Sequence, residues 1–145
     1  MGDLAKEINA SFSNLRVKAL LNIKYTANWL DQIGADLFKP YNISEQQYNI
    51  LRILKGAAKK ITVTEVKERM IQKSPNTTRL MDKLYEKKLI ERSRCDSDRR
   101  VVFVKITKKG LNLLLKINMS EFDRYMNRLT LKEAELLNNL LDKIR

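Results

Sequence analysis

The segment 62–110 most constrains the fold, because it places two short helices and a pair of strands in close succession. Thr62-Val-Thr-Glu65 is a capping box, in which two side chains satisfy the first free amides of a helix that runs to about Met70. Ser74-Pro75 marks a second helix start, with a capping serine and a proline at the first helical position. The short turn between the two helices has the length of a helix-turn-helix.

A β-hairpin is predicted directly after the second helix, which runs to about Lys87. Residues 89–95 and 101–106 are rich in β-branched side chains and flank a polar turn at 96–100. A helix-turn-helix followed by a two-stranded ribbon predicts a winged helix. In that arrangement the second helix reads DNA and the turn of the hairpin projects beside it.

Positive charge is concentrated in the same part of the chain. The 145 residues carry a net charge of +12, of which residues 52–110 contribute +11, from 18 basic and 7 acidic groups. Residues 1–51 are neutral and residues 111–145 carry only +1. This segregation indicates one positive face that binds a polyanion. The alternative is a basic surface that only keeps the protein soluble.

The N-terminal region is predicted to be helical. Apolar residues recur at spacings of three and four from Leu4 to Phe38, with a break near Ser11–Asn14. Lys39-Pro40 ends this helix, because the residue before a proline is pushed out of the α region.

Three more helix starts follow from local signals. Capping boxes at Ser44 and Thr130 open a helix that stops at Gly56 and a final helix over 131–144. Thr107 caps another helix, which is expected to run unbroken to about Arg128. The predicted fold class is therefore mainly α with a small β-hairpin wing, about six helices in all.

The candidate DNA contacts lie on the second helix of the pair and on the wing. Thr77, Leu80, Met81 and Leu84 form the inward face of that helix, and the hydroxyl, amide and cationic groups near its start suit base edges and phosphates. The candidates on this helix are Ser74, Asn76, Thr77, Thr78, Arg79 and Lys83, and those on the wing are Asp98, Arg99 and Arg100. The alternatives are a solvated helix face and a salt-bridged surface hairpin.

The stretch Asp98-Arg-Arg100-Val-Val-Phe-Val-Lys-Ile-Thr107-Lys-Lys-Gly110 resembles the wing signature of the MarR family of bacterial transcriptional regulators. Residues 78–92 resemble the reading helix and first wing strand of that family. The resemblance implies a homodimer that sets two reading helices in successive major grooves. It also implies that Asp98 braces an arginine, at position 100, that enters the minor groove, with Arg99 beside it.

The resemblance further implies a division of the chain. Residues 1–38 and 107–145 would supply interlocking dimerisation helices, and residues 44–106 would form the winged-helix lobe. Independently of the family, the segments 111–117 and 136–141 hold more leucine than one small core readily buries, which favours twofold pairing. Lys88 departs from the family, which has glycine at that position.

Two further sites are candidates only. Members of the family respond to small aromatic or lipophilic effectors, and the residues expected to line such a pocket are Tyr25, Trp29, Tyr41 and Tyr48. Aromatic residues at helical spacing are also typical of an ordinary core. Cys95, the single cysteine, is a candidate redox site if Arg92 and Arg94 lower its pKa. The alternative is a small residue that closes a strand.

These observations favour a sequence-specific DNA-binding regulator, in particular a ligand-responsive repressor that binds an inverted-repeat operator as a homodimer. The alternative is a non-specific architectural nucleic-acid-binding protein. An enzyme is not expected, because the chain has no histidine, no glycine-rich phosphate loop and no clustered acidic ligands. No cofactor, metal or membrane partner is expected, and the predicted location is cytoplasmic.

Overall fold

A computed structural model gives the structure of residues 2–72 and 76–145. The chain divides into two compact units, Met1–Leu114 and Leu115–Arg145. In the described residues the helices are α1 Leu4–Glu7, α2 Leu15–Phe38, α3 Glu45–Ala57, α4 Val63–Arg69, α5 Thr77–Glu86, α6 Lys108–Lys116, α7 Ser120–Met126 and α8 Leu131–Ile144. The strands are β1 Ile61–Thr62, β2 Ile90–Arg94 and β3 Val102–Ile106.

The break predicted in the N-terminal helix is present. Helix α1 ends at Glu7, and α2 begins after Asn14, whose side-chain oxygen accepts hydrogen bonds from the amides of Arg16 and Val17. The cap explains the break, because it satisfies amides that would otherwise lack a partner at a new helix start. The predicted end at Phe38 is confirmed, since a 3₁₀ turn over Lys39–Tyr41 follows it.

Helix α3 begins at the predicted capping box but does not stop at Gly56. It continues to Ala57, and the chain leaves the helix at Ala58, which adopts a left-handed conformation with φ 55°. The stop expected at Gly56 is therefore wrong, because an alanine supplies the left-handed residue that glycine usually provides.

The core of the first unit forms between α3, α4, α5 and the sheet. Its fully buried side chains include Ile50, Leu51, Leu54, Val66, Met81 and Leu84. Buried Gln47 joins two of these helices, because its side-chain nitrogen donates to the carbonyl of Leu80, 3.3 Å away. Since Leu80 lies in α5, this bond helps to fix the second helix of the pair against the core.

The wing contains a third strand that the sequence did not predict. The sheet order is β1-β3-β2, all antiparallel, with Ile61 opposite Val104 and Arg92 opposite Val104 on the other side. The two-residue strand β1 runs directly into α4, and Thr62 is both its last residue and the helix cap. A strand this short leaves no alternating pattern to detect.

The junction after α5 explains the Thr-x-x-Gly part of the wing signature. The Thr107 hydroxyl lies 3.0 Å from the carbonyl of Leu89 and accepts the amide of Gly110 at 3.1 Å. A Cβ on Gly110 would lie 2.3 Å from that same carbonyl, so only glycine fits. Lys88 stands in the left-handed region with φ 58°, the conformation that favours glycine.

The single helix expected from Thr107 to Arg128 is wrong. The structure ends α6 at Lys116 and starts α7 at Ser120, whose amide donates to the side-chain oxygen of Asn118 at 2.9 Å. Helix α8 has the predicted bounds and a complete capping box at Thr130. The predicted fold class, mainly α with a small β wing, is confirmed.

Candidate nucleic-acid interface

Helix α5 presents one polar face because its opposite face is anchored in the core. Met81 and Leu84 are fully buried. Residues three and four positions apart lie on the same side of a helix, so Asn76, Arg79 and Lys83 form one line. All three are exposed, and so is Thr78.

Thr77, one of the predicted contacts on this helix, is buried. Thr77 retains only 1% of its exposure, so its side chain belongs to the core and cannot reach a base edge, and its assignment as a DNA contact is wrong. Its inward orientation, which helical spacing also predicted, is the correct one. Ser74 lies outside the described residues.

Asp82 and Arg92 form an ion pair between α5 and the wing strand β2. Nη1 of Arg92 lies 2.6 Å from Oδ1 of Asp82, and the two side chains are 23% and 47% exposed. The guanidinium also lies over the ring of Tyr85, with its carbon 5.5 Å from the ring centre. Sequence periodicity does not reveal this pair, because the partners are ten residues apart in two different elements.

The turn of the wing is closed by Asp98. Its carboxylate accepts the backbone amide of Arg100 at 2.9 Å, and its carbonyl accepts the amide of Val101 at 2.9 Å. The resemblance implied that Asp98 braces an arginine, and the structure shows contact with the backbone of Arg100. The carboxylate therefore holds the turn, as an aspartate in an Asx turn does, and Arg99 and Arg100 are both exposed.

Four cations of this surface have no ion-pair partner among the described residues: Arg79, Lys83, Arg99 and Arg100. Asp82, the carboxylate that lies beside them on α5, is occupied by Arg92. We call these four cations, together with Asn76 and Thr78, the reading surface. Unpaired arginines and lysines at exposed positions suit phosphates and guanine edges.

Cys95 follows β2, and its environment differs from the expected one. Its sulfur lies 3.1 Å from the hydroxyl of Ser97. This hydrogen bond, followed by bonds to the backbone of Asp98 and Ser97, lowers the pKa of the thiol, while the charge of Asp96 raises it. The direction agrees with the prediction, but the expected cause, Arg92 and Arg94, is wrong.

The four aromatic residues proposed for an effector pocket occupy different environments. Tyr25 and Trp29 lie four residues apart on α2 and are 41% and 37% exposed. The pKa of Tyr25 is raised by its hydrogen bond with Glu7. Tyr48 stacks on buried Phe38 with the ring centres 4.6 Å apart, which is a core contact, and Tyr41 lies in the 3₁₀ turn.

A cleft of about 500 Å³ opens near these residues, but none of the four lines it. Asp31 of α2 and Glu45 of α3 line this cleft. Burial raises the pKa of Glu45, and the nearby charge of Asp31 raises it further.

The described part of the chain has neither a metal-binding cluster nor a membrane-spanning helix. Within residues 2–72 and 76–145, no three acidic or sulfur side chains group in a way that would hold a metal ion. No helix in these ranges combines the length and the apolar character that crossing a membrane requires.

Comparison with known sequences gives a consistent result. The sequence model of the MarR family matches residues 43–102, which include the reading surface. The curated regulator MhqR, an HTH-type transcriptional regulator of Bacillus subtilis (strain 168), is 31% identical over 83 residues. That match covers 55% of this chain and 57% of MhqR, so it spans little more than half of the relative.

Solved structures extend the similarity to nearly the whole chain. A MarR transcription factor from Planctomyces limnophilus is 29% identical, with a TM-score of 0.69 over 92% of this chain and 98% of that one. A mutant MarR from E. coli, solved in complex with operator DNA, is 26% identical, with a TM-score of 0.70 over 99% of both chains. The similarity therefore includes the terminal helices as well as the lobe.

Proposed function

Because this chain belongs to the MarR family, we propose that it is a sequence-specific DNA-binding transcriptional regulator that binds an inverted-repeat operator as a homodimer. The observation that carries the proposal is the reading surface, where four cations without an ion-pair partner in the described part of the chain lie on a core-anchored helix and on the adjacent wing. In the same proposal, the protein represses transcription at promoter DNA and catalyses no reaction. It acts in the cytoplasm.

The two parts of the reading surface suit different grooves. The exposed side of α5 carries an amide, a hydroxyl and two cations, which are the groups that hydrogen-bond to base edges and phosphates in the major groove. Arg100 projects from a turn whose backbone Asp98 holds. A narrow minor groove concentrates negative potential and attracts an inserted arginine, so we assign Arg100 to that groove.

Homodimerisation is supported by apolar side chains that each unit leaves exposed. In the first unit α2 exposes Leu15 at 79% and Leu20 at 55%. In the second unit α8 exposes Leu136 at 59% and Leu140 at 51%, and no residue of that helix is buried. Soluble monomers rarely expose continuous apolar faces of this kind, and a twofold partner would bury them. We therefore propose residues 1–38 and 107–145 as the dimerisation segments.

Selection of bound sites from a random duplex library tests specificity directly. The proposal predicts recovery of an inverted repeat, because two related subunits present two reading helices. Recovery of unrelated sequences, with random duplex competing equally well, would support the alternative of a non-specific architectural protein.

Salt dependence tests the electrostatic part of the proposal. With about six to ten phosphate contacts, affinity should fall on the order of a thousandfold or more between 50 and 200 mM salt. An affinity for the selected operator that changes little over this range would contradict binding through the reading surface.

Ligand response rests on the aromatic residues of α2. Tyr25 and Trp29 share one side of the helix and are partly exposed, so they offer flat apolar surface to a small aromatic effector. Quenching of Trp29, the only tryptophan, by a panel of phenolic compounds is the direct assay. A compound that quenches Trp29 should also release operator DNA. If none of the quenching compounds releases DNA, the effector part of the proposal fails and DNA binding stands.

A further inference from the structure

Asp82 places a negative charge on the helix that carries part of the reading surface. It lies between Arg79 and Lys83 on the helix proposed to enter the major groove, where a carboxylate repels phosphate. Electrostatics alone would therefore favour a neutral residue at this position. Its ion pair with Arg92 of β2 indicates a structural role.

Arg92 depends on Asp82 for its hydrogen bonding. The Nη1 atom donates to Oδ1 of Asp82 at 2.6 Å. The other two nitrogens, Nε and Nη2, are buried and have no hydrogen-bond partner among the described residues. The ring of Tyr85 lies beneath the guanidinium, with its centre 5.5 Å away, and supplies a cation–π contact. Loss of the carboxylate charge would leave a largely buried guanidinium with at most one neutral acceptor.

The position of Arg92 makes this contact a link between two elements that would meet different grooves. Arg92 lies in the middle of the edge strand β2, opposite Val104 of β3, and the same strand leads into the turn that carries Arg99 and Arg100. Asp82 and Tyr85 lie on α5, one turn apart. The ion pair therefore connects the reading helix to the strand that supports the wing tip.

We propose that Asp82, Arg92 and Tyr85 act as a latch that fixes the angle between the reading helix and the wing, so that both engage DNA without a further loss of conformational freedom. The three are positioning residues, and Asp82 raises operator affinity although its charge opposes DNA. This inference rests on the proposed DNA-binding function. Its physical basis is that groups held in their bound arrangement bind more tightly than groups that must be ordered on contact.

The sign of one substitution separates the latch from simple electrostatics. Asp82→Asn removes a negative charge from the DNA-facing helix at almost constant shape. Electrostatics predicts tighter binding, whereas the latch predicts that operator affinity falls about fivefold to tenfold, because the amide that replaces the carboxylate offers Arg92 only a weaker, neutral acceptor. Glu86→Gln is the matched control, because Glu86 is exposed on the same helix and has no ion pair among the described residues. It should bind as tightly as the unaltered chain, or more tightly.

Coupling to the wing tip gives a second readout that a general loss of stability would not produce. If Asp82→Asn uncouples the wing, then Arg100→Ala should weaken binding less in the Asp82→Asn chain than in the unaltered chain. Arg92→Lys keeps the charge but lacks the planar guanidinium that lies over Tyr85, so it should behave like Asp82→Asn. Additive losses, or an Arg92→Lys chain that binds normally, would contradict the latch.

A measurement without DNA separates failure of the latch from failure of the proposed function. Cys95, the only cysteine, follows β2 and can carry a nitroxide label. The label should be more mobile in the Asp82→Asn chain than in the unaltered chain, while Glu86→Gln leaves its spectrum unchanged. Equal mobility in all three chains, or tighter operator binding by Asp82→Asn, would overturn the latch. Absence of any operator preference in the unaltered chain would overturn the proposed function instead.

Discussion

The winged-helix lobe and the last helix, α8, differ in how they use their apolar residues. The lobe buries Leu51, Leu54 and Met81 completely and leaves the cations of the reading surface exposed. Helix α8 buries none of its residues and exposes Leu131 at 90% and Ile144 at 69%. The lobe thus encloses a core of its own within one chain, whereas α8 leaves its apolar side chains uncovered.

This contrast assigns DNA binding and dimerisation to different parts of the chain. Positive charge is concentrated in the lobe, and a lobe with an enclosed core can hold cations in a fixed arrangement for DNA. Apolar exposure accumulates where charge is nearly balanced, since residues 111–145 carry a net +1. We infer that the lobe binds DNA and that the terminal helices form the dimer.

The largest effect is expected from a charge on α8. Leu140→Glu places a carboxylate on the exposed apolar stripe and should dissociate the dimer, lowering operator affinity about a thousandfold through loss of bivalent binding. Sedimentation velocity measures the first change and a gel-shift titration the second. Asn138→Glu adds the same charge on the opposite side of the helix and should change neither. A Leu140→Glu chain that remained dimeric would remove α8 from the interface.

A core substitution in the lobe should cost free energy of unfolding. Leu54 is fully buried, so Leu54→Ala removes packed methyl groups and should lower that free energy by about 3 kcal/mol. Ile71 is 87% exposed in the same lobe, and Ile71→Ala should change it by less than about 0.5 kcal/mol. Urea denaturation followed by circular dichroism compares the two. Equal losses would contradict the burial of Leu54 in a closed core.

Removal of the wing arginine should affect DNA binding alone. Arg100→Ala should weaken operator binding about tenfold or more, because a charged contact in a groove is lost. The dimer should remain intact in sedimentation. Arg145→Ala removes the same charge at the end of the second unit, where Arg145 pairs with Asp142, and should leave affinity nearly unchanged. If both substitutions weakened binding equally, total charge rather than the wing would govern affinity.

The smallest effect concerns the exit from α5. Lys88 has φ 58°, so Lys88→Gly should relieve backbone strain and raise the free energy of unfolding by up to about 1 kcal/mol. Lys87 has φ −76°, and Lys87→Gly should lower that free energy instead, because the right-handed region gives glycine no advantage. Thermal unfolding of the two variants should therefore move in opposite directions. Movement in the same direction would contradict the assigned backbone conformation.

Local signals in the sequence predicted much of the fold. The capping boxes at Ser44, Thr62 and Thr130 are all complete in the structure, because each depends on side chains only three residues apart. The break before α2 was likewise readable from neighbouring residues. The left-handed conformation at Lys88 was indicated only by the resemblance to a family that has glycine at this position.

Features that depend on contacts across the fold were missed. The apolar pattern through 111–117 continued the helix period and concealed the break between α6 and α7, where the Asn118 side chain accepts the amide of Ser120. Thr77 has a polar side chain at an inward position of the helix, and only the packing shows that this side chain is buried in the core. The pair of Asp82 with Arg92 follows from the return of β2 past α5, which periodicity cannot reveal.

The stoichiometry of the complex with a selected operator distinguishes a DNA-binding lobe with dimerising terminal helices from a chain that binds DNA alone. Native mass spectrometry of the protein with that duplex should show two chains per duplex, with no stable species of one chain on the full site. A duplex that carries only one half-site should bind far more weakly. A complex with a single chain that binds the full and half sites equally well would contradict the division between a DNA-binding lobe and dimerising terminal helices.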